Sequence, residues 1–177
     1  LKYPCILVDP PWAFRTFSKK NTTPHRGEHE HYATLPLRDL VSVPVGAVAA
    51  VNSALFMWVV DSHFPEALEL GRAWGFEFKT CAFVWDKDGI GMGYWTRKQT
   101  EQCWLFTRGK PTRLSKGVRQ IIRAPRREHS RKPDEQYAAI EALVAGPRVE
   151  FFARTRRPGW DAWGNEVEKY AAEDLLS

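Results

Sequence analysis

The stretch Ile6-Leu7-Val8-Asp9-Pro10-Pro11-Trp12 constrains this chain more than any other. The apolar residues 5–8 read as a short buried strand, and two prolines then stop it. Asp9 therefore stands at the carboxyl end of a strand, where open α/β sheets place ligand chemistry. A second unbroken apolar run, residues 54–60, reads as another strand and ends at Asp61. Residues 65–74 then carry Leu68, Leu70 and Ala73 at helical spacing, with Gly75 as the stop. Residues 76–85 read as a third strand. This strand–helix–strand rhythm predicts a wound α/β sheet.

Further elements follow the same logic. A short helix opens at Thr34 with Pro36 in its first turn. Strands are predicted over 101–107, 118–122 and 148–153, and helices over 133–143 and 169–176. Residues 14–31 and the glycine-rich 86–100 read as surface loops. Gly89, Gly91 and Gly93 lack the spacing of a phosphate cradle.

The 177 residues are enough for one domain with a sizeable core. Neither an apolar run of membrane-spanning length nor a leader-like start is seen, and a cytoplasmic, non-membrane protein is expected. Cys5, Cys81 and Cys103 lack C-x-x-C spacing, which argues against a zinc ribbon or a disulfide framework. His25, His29 and His31 read as part of a solvated loop, and no metal is expected. The net charge of +5 favours an anionic partner. The cations gather in Arg113, Lys116, Arg119, Arg123, Arg126, Arg127 and Arg131, with Glu128 the one acid among them, as a nucleic-acid backbone would require.

The residue types around Asp9 suit a particular substrate. A carboxylate accepts hydrogen bonds and donates none, and prolines bring no competing N–H. Trp12 adds a flat face. Acceptors beside an aromatic plate suit an exocyclic amine on a flat ring, and adenine N6 and cytosine N4 both qualify. Ser130-Arg131-Lys132-Pro133-Asp134-Glu135 forms a second motif. Pro133, Asp134 and Glu135 make an ordinary helix start, whereas Lys132 is a cation where the helix dipole disfavours one. A bound carboxylate would explain it. Near the end, Asn165 and Glu166 offer acceptors to a vicinal diol, although Gly164-Asn165 also reads as a helix-ending turn.

Asp9-Pro10-Pro11-Trp12 resembles the signature of the amino-methyltransferases, and tryptophan in fourth place resembles the MT-A70 family. Ser-x-Lys-Pro-Asp-Glu at 130–135 and Gly-Asn-Glu at 164–166 resemble that family too, in its order. Phe152-Ala153-Arg154 departs from the Phe-x-Gly-x-Gly motif of more distant amino-methyltransferases. The resemblance implies a Rossmann-like α/β fold spanning 1–177 as a single domain. Its sheet would be mixed and mostly parallel, with helices on both faces, the catalytic motif first and the cosubstrate motifs last.

It also implies methyl transfer from S-adenosylmethionine to the N6 amine of adenine. DNA is the expected substrate; RNA adenosine, or a non-catalytic nucleic-acid-binding partner role, is the alternative, and a monomer or homodimer is expected. By resemblance Asp9, Pro10, Pro11 and Trp12 are catalytic. Lys132 contacts the cosubstrate carboxylate, and Ser130, Glu150, Arg154, Arg156, Asn165, Glu166 and Asp9 are further cosubstrate contacts. Tyr32, Trp58, Arg97 and Lys98 are placed at the substrate. As plain residues, Tyr32 also reads as a loop tyrosine, Trp58 as core, and Arg97 and Lys98 as a solvated loop.

Overall fold

A computed structural model describes residues 1–12, 35–91, 93, 95–127 and 131–164. Its centre is one seven-stranded sheet. The strands are β1 (Tyr3–Val8), β2 (Ala49–Val59), β3 (Glu77–Gly91), β4 (Lys98–Arg108), β5 (Ile121–Pro125), β6 (Arg148–Phe151) and β7 (Asp161–Trp163). They lie in the order β5-β3-β4-β2-β1-β6-β7. Among the described strands only β4 runs against the rest, so the sheet is mixed and mostly parallel as expected.

Successive side chains of a strand point to opposite faces, so an unbroken apolar run needs cover on both. Among the described residues four helices supply it: α1 (Leu37–Ser42), α2 (Val45–Val48), α3 (Phe64–Ala73) and α4 (Glu135–Leu143). Ile6, Val8, Leu55 and Met57 pack with Leu40, Val45, Ala67 and Leu70, which places α1, α2 and α3 on one face. Cys5, Leu7, Phe56 and Trp58 pack with Ile140 of α4 on the other. Each large aliphatic side chain so buried contributes about 1.5–3 kcal/mol of hydrophobic stabilisation. Among the described residues no helix is long and apolar enough to cross a membrane.

Several boundaries differ from the sequence reading. The expected loop 86–100 is largely a β-hairpin: β3 continues to Gly91 and pairs with β4 through Asp86↔Thr100 and Gly91↔Lys98. Gly89 and Gly91 punctuate a strand rather than a loop, because side chains across the pair hold it. Gln99 donates to Asp86 at 3.1 Å, and Lys87 lies 2.8 Å from Glu101. The strand expected at 118–122 begins instead at Ile121, as an edge strand beside β3. The short elements α2 and β7 had no periodicity long enough to announce them. The helix expected at 169–176 lies outside the described residues.

Candidate active site

β1 delivers Asp9 to the carboxyl edge of the sheet, between the ends of β2 and β6. The register Leu7↔Glu150 and Val8↔Phe151 brings the end of the chain's last long segment beside its beginning. Asp9, Lys132, Asp134, Glu150, Arg154 and Arg157 line one cleft there. Glu150 and Arg154 of the closing segment thus share a cleft with Asp9 of the opening motif. Tyr32, Ser130, Asn165 and Glu166 lie outside them, as do His25, His29 and His31.

The turn after β1 is held from within. Trp12 N–H donates to the Pro10 carbonyl at 2.8 Å, and Leu35 N–H donates to the Pro11 carbonyl at 3.0 Å. The sequence reading left the Pro10 carbonyl without a competing amide, and the structure corrects this: one of its two lone pairs is taken. Trp12 itself is 5% exposed, so its ring is not an open wall for a flat ligand. Its indole donates to the Trp58 carbonyl at 3.1 Å and its ring lies 5.5 Å from that of His63. Trp12 thus fastens the Asp9 turn to the end of β2.

Trp58 also differs from its expected place at the substrate. It is 1% exposed, and its indole donates to Gln136 Oε1 at 2.6 Å. The ammonium of Lys132 sits 5.7 Å from its ring centroid. The tryptophan is a floor under the lysine, joining β2 to α4.

Lys132 is the hub. Its Nζ lies 3.0 Å from Asp9 Oδ2 and 3.3 Å from Glu101 Oε2, and Glu101 is in turn paired with Lys87 at 2.8 Å. The charges alternate along this row: Lys87, Glu101, Lys132, Asp9. Burial works against the Lys132 cation, yet the neighbouring Asp9 and Glu101 charges hold its pKa above the ordinary lysine value. Burial likewise disfavours the Glu101 anion, and the Lys132 and Lys87 cations outweigh it and lower its pKa. The sequence argument asked for a bound carboxylate to explain a lysine at the start of α4. The protein's own carboxylates already explain it.

A second network closes the far wall. Asp134 receives Arg127 at 2.7 Å and Arg157 at 2.5 Å, with Arg131 at 3.7 Å. Burial alone would raise the Asp134 carboxyl, but these guanidinium groups hold it below the usual range. Arg157 also stacks 3.9 Å from the Tyr137 ring centroid, and Tyr137 Oη donates to Glu150 Oε2 at 3.0 Å. Desolvation pushes the Glu150 carboxyl up to about 7 despite that hydrogen bond, and the Asp9 charge adds to the rise.

Arg154 lines the cleft, but Arg156 is exposed and absent from its walls, where Arg157 stands instead. Neighbouring arginines carry no sequence mark of which one turns inward. Lys98 pairs with Asp61 at 3.3 Å beyond the end of β2, while Arg97 stays exposed. Glu101, Tyr137 and Arg157 were not anticipated. Glu101 alone carried a signal, as the one acid in the strand expected over 101–107.

Phe152 follows Glu150 and Phe151 with φ 61°, a left-handed conformation that is rare outside glycine. Ala153 N–H then donates to the Trp163 carbonyl at 3.2 Å. Gly164 lies so close that a Cβ there would stand 2.9 Å from both the N and O of Ala153. That contact, not a helix end, requires the glycine of Gly164-Asn165.

The MT-A70 family model matches residues 3–166. The type II methyltransferase M.MunI of Mycoplasma sp is 36% identical over 185 residues, which span 94% of this chain and 78% of that protein. An N(6)-adenosine-methyltransferase MT-A70-like protein of Drosophila melanogaster is 28% identical over 94% of this chain and 27% of its own length. The N(6)-adenosine-methyltransferase catalytic subunit METTL3 of Homo sapiens is also 28% identical, and this chain spans 28% of it. With its opening motif at the carboxyl end of β1 and a match across nearly its whole length, the chain belongs to the MT-A70 family.

Proposed function

We propose that this chain transfers a methyl group from S-adenosylmethionine to the exocyclic N6 amine of adenine in DNA. The observation that carries this reading is Asp9, held at the carboxyl end of β1 by Lys132 and opening into the cleft that Glu150 and Arg154 also line. The cleft's charges fit the cosubstrate, which has a carboxylate, an ammonium and a sulfonium. Lys132 and Arg154 offer positive charge, and Glu150 negative charge. Arg157 Nε is buried there without a hydrogen-bond partner. The bound cosubstrate supplies an electrophilic methyl carbon on a positively charged sulfur.

The rest is the work of the chain. An aromatic amine is a weak nucleophile because its lone pair is delocalised into the ring. Asp9 accepts one amine hydrogen, and the second lone pair of the Pro10 carbonyl accepts the other. Bonding both draws the nitrogen toward a tetrahedral shape and frees its lone pair for attack. As the nitrogen–carbon bond forms and the carbon–sulfur bond breaks, the nitrogen becomes acidic and Asp9 takes its proton. Lys132 keeps Asp9 aimed until then. The Asn165 and Glu166 pair would hold the ribose hydroxyls. A duplex base must leave the stack to reach such a cleft, so the target is flipped or single-stranded.

DNA is favoured because the chain spans most of the type II methyltransferase; the adenosine N6 position leans on the relatives that carry it in their names. The test is label transfer from tritiated S-adenosylmethionine to matched DNA and RNA oligonucleotides, with nucleoside analysis. N6-methyladenine in DNA is expected. Label confined to RNA would move the activity to RNA, and cosubstrate binding without transfer to either would leave a non-catalytic partner.

A further inference from the structure

The β3–β4 hairpin rises from the same edge of the sheet as Asp9, and its turn carries Trp95. That side chain is 89% exposed. The arm beneath it is well held, through Lys87 with Glu101 at 2.8 Å, Lys98 with Asp61 at 3.3 Å, and Gln99 with Asp86 at 3.1 Å. The turn is tight as well: a Cβ on Gly93 would collide with the Thr96 carbonyl oxygen. Above a well-held arm, Trp95 therefore presents a large flat ring to water.

The surroundings favour one kind of partner. Arg97 is exposed beside the tryptophan. β5 runs along the outer edge of the hairpin with Arg119, Arg123 and Arg126 exposed on or next to it. Arg126 reaches toward the hairpin at Gly89. Asp86 and Asp88 are the opposing charges on this edge, and Asp86 already faces Arg123 at 3.7 Å. Cations that follow a backbone, with an aromatic plate at their end, are the makings of a single-strand binding surface. Glu101, which touches Lys132, lies about 10 Å along β4 from Lys98 at the usual strand rise. The tip is thus a few nucleotides away from the base that Asp9 would hold.

We propose that Trp95 stacks on an unpaired base flanking the target nucleotide, with Arg97 on the adjacent phosphate. This rests on the nucleic-acid reading above and adds a second contact point that sets how the strand enters the cleft.

The test uses the full chain and fluorescein-labelled 20-mers, one single-stranded and one duplex, in anisotropy titrations at several salt concentrations. Trp95→Ala weakens single-strand binding about tenfold. Trp95→Phe retains most of the affinity. The slope of log affinity against log salt stays as in the wild type for both, since no charge is lost, whereas Arg97→Ala reduces it by about one. Melting temperature and S-adenosylmethionine affinity are unchanged in Trp95→Ala. Wild-type binding that survives Trp95→Ala intact overturns this inference alone. So does a Trp95→Ala protein that changes its sedimentation mass but not its oligonucleotide affinity, because the ring then serves a protein contact. A wild type that binds neither strand overturns the functional reading and this inference with it.

Discussion

Lys132 Nζ and Asp9 Oδ2 lie 3.0 Å apart across 123 residues of sequence. The pair joins the start of α4 to the end of β1, and Glu101 completes it from β4 at 3.3 Å. Three segments distant in the chain thus share one ammonium. Lys132→Met would leave Asp9 and Glu101 facing each other without their cation. Removing one partner from so enclosed a cluster costs about 3–5 kcal/mol. Urea unfolding at pH 8 is expected to show that loss. Stability equal to that of the wild type would show that Lys132 does not hold the two acids together.

Glu150 gives the protein a pH signature. Its folded pKa is raised from 4.5 to about 7. Between those values the folded protein keeps a proton that the unfolded chain has released, so stability falls as pH climbs through that window. Glu150→Gln removes the dependence. Thermal unfolding across the window should show the wild type losing ground to Glu150→Gln as pH rises, with a constant difference above it. The same ionisation adds negative charge to the cleft, so affinity for the cationic cosubstrate rises as Glu150 ionises. Parallel melting curves for the two proteins at every pH would contradict the assignment.

Gly164 is set by contact with Ala153. A methyl group there must push against backbone N and O atoms 2.9 Å away, neither of which can rotate aside. Gly164→Ala is expected to lower stability by about 2 kcal/mol in urea unfolding. Unchanged stability would mean that β6 and β7 separate freely.

The order of motifs and the strand character of 5–8 and 54–60 were legible because unbroken apolar runs have few other uses. Asp9, Lys132, Glu150 and Arg154 were legible through motifs, and all four line the cleft. What sequence could not give were the partners. Glu101 reaches Lys132 only because β4 runs antiparallel beside β2, a pairing no local pattern encodes. Tyr137 and Arg157 meet through the approach of α4 to the segment after β6. The tryptophans misled in a consistent way: Trp12 and Trp58 look like stacking plates in a motif, yet packing buries both, Trp12 on the face of α1, α2 and α3 and Trp58 on that of α4. Trp95, which the sequence placed in a glycine-rich loop, is instead 89% exposed. Gly89 and Gly91 resemble loop punctuation when the register that joins Gly91 to Lys98 is unseen.

The division of labour at Asp9 is tested most directly by paired measurements on Asp9→Ala: single-turnover methyl transfer to an adenine-containing DNA oligonucleotide, and calorimetric titration with S-adenosylmethionine. Transfer should fall by about 10²–10³ or more while cosubstrate affinity stays within about threefold of the wild type. Losses of equal size in both, with the fold intact, would show that Asp9 serves the cosubstrate rather than the amine and would contradict the account.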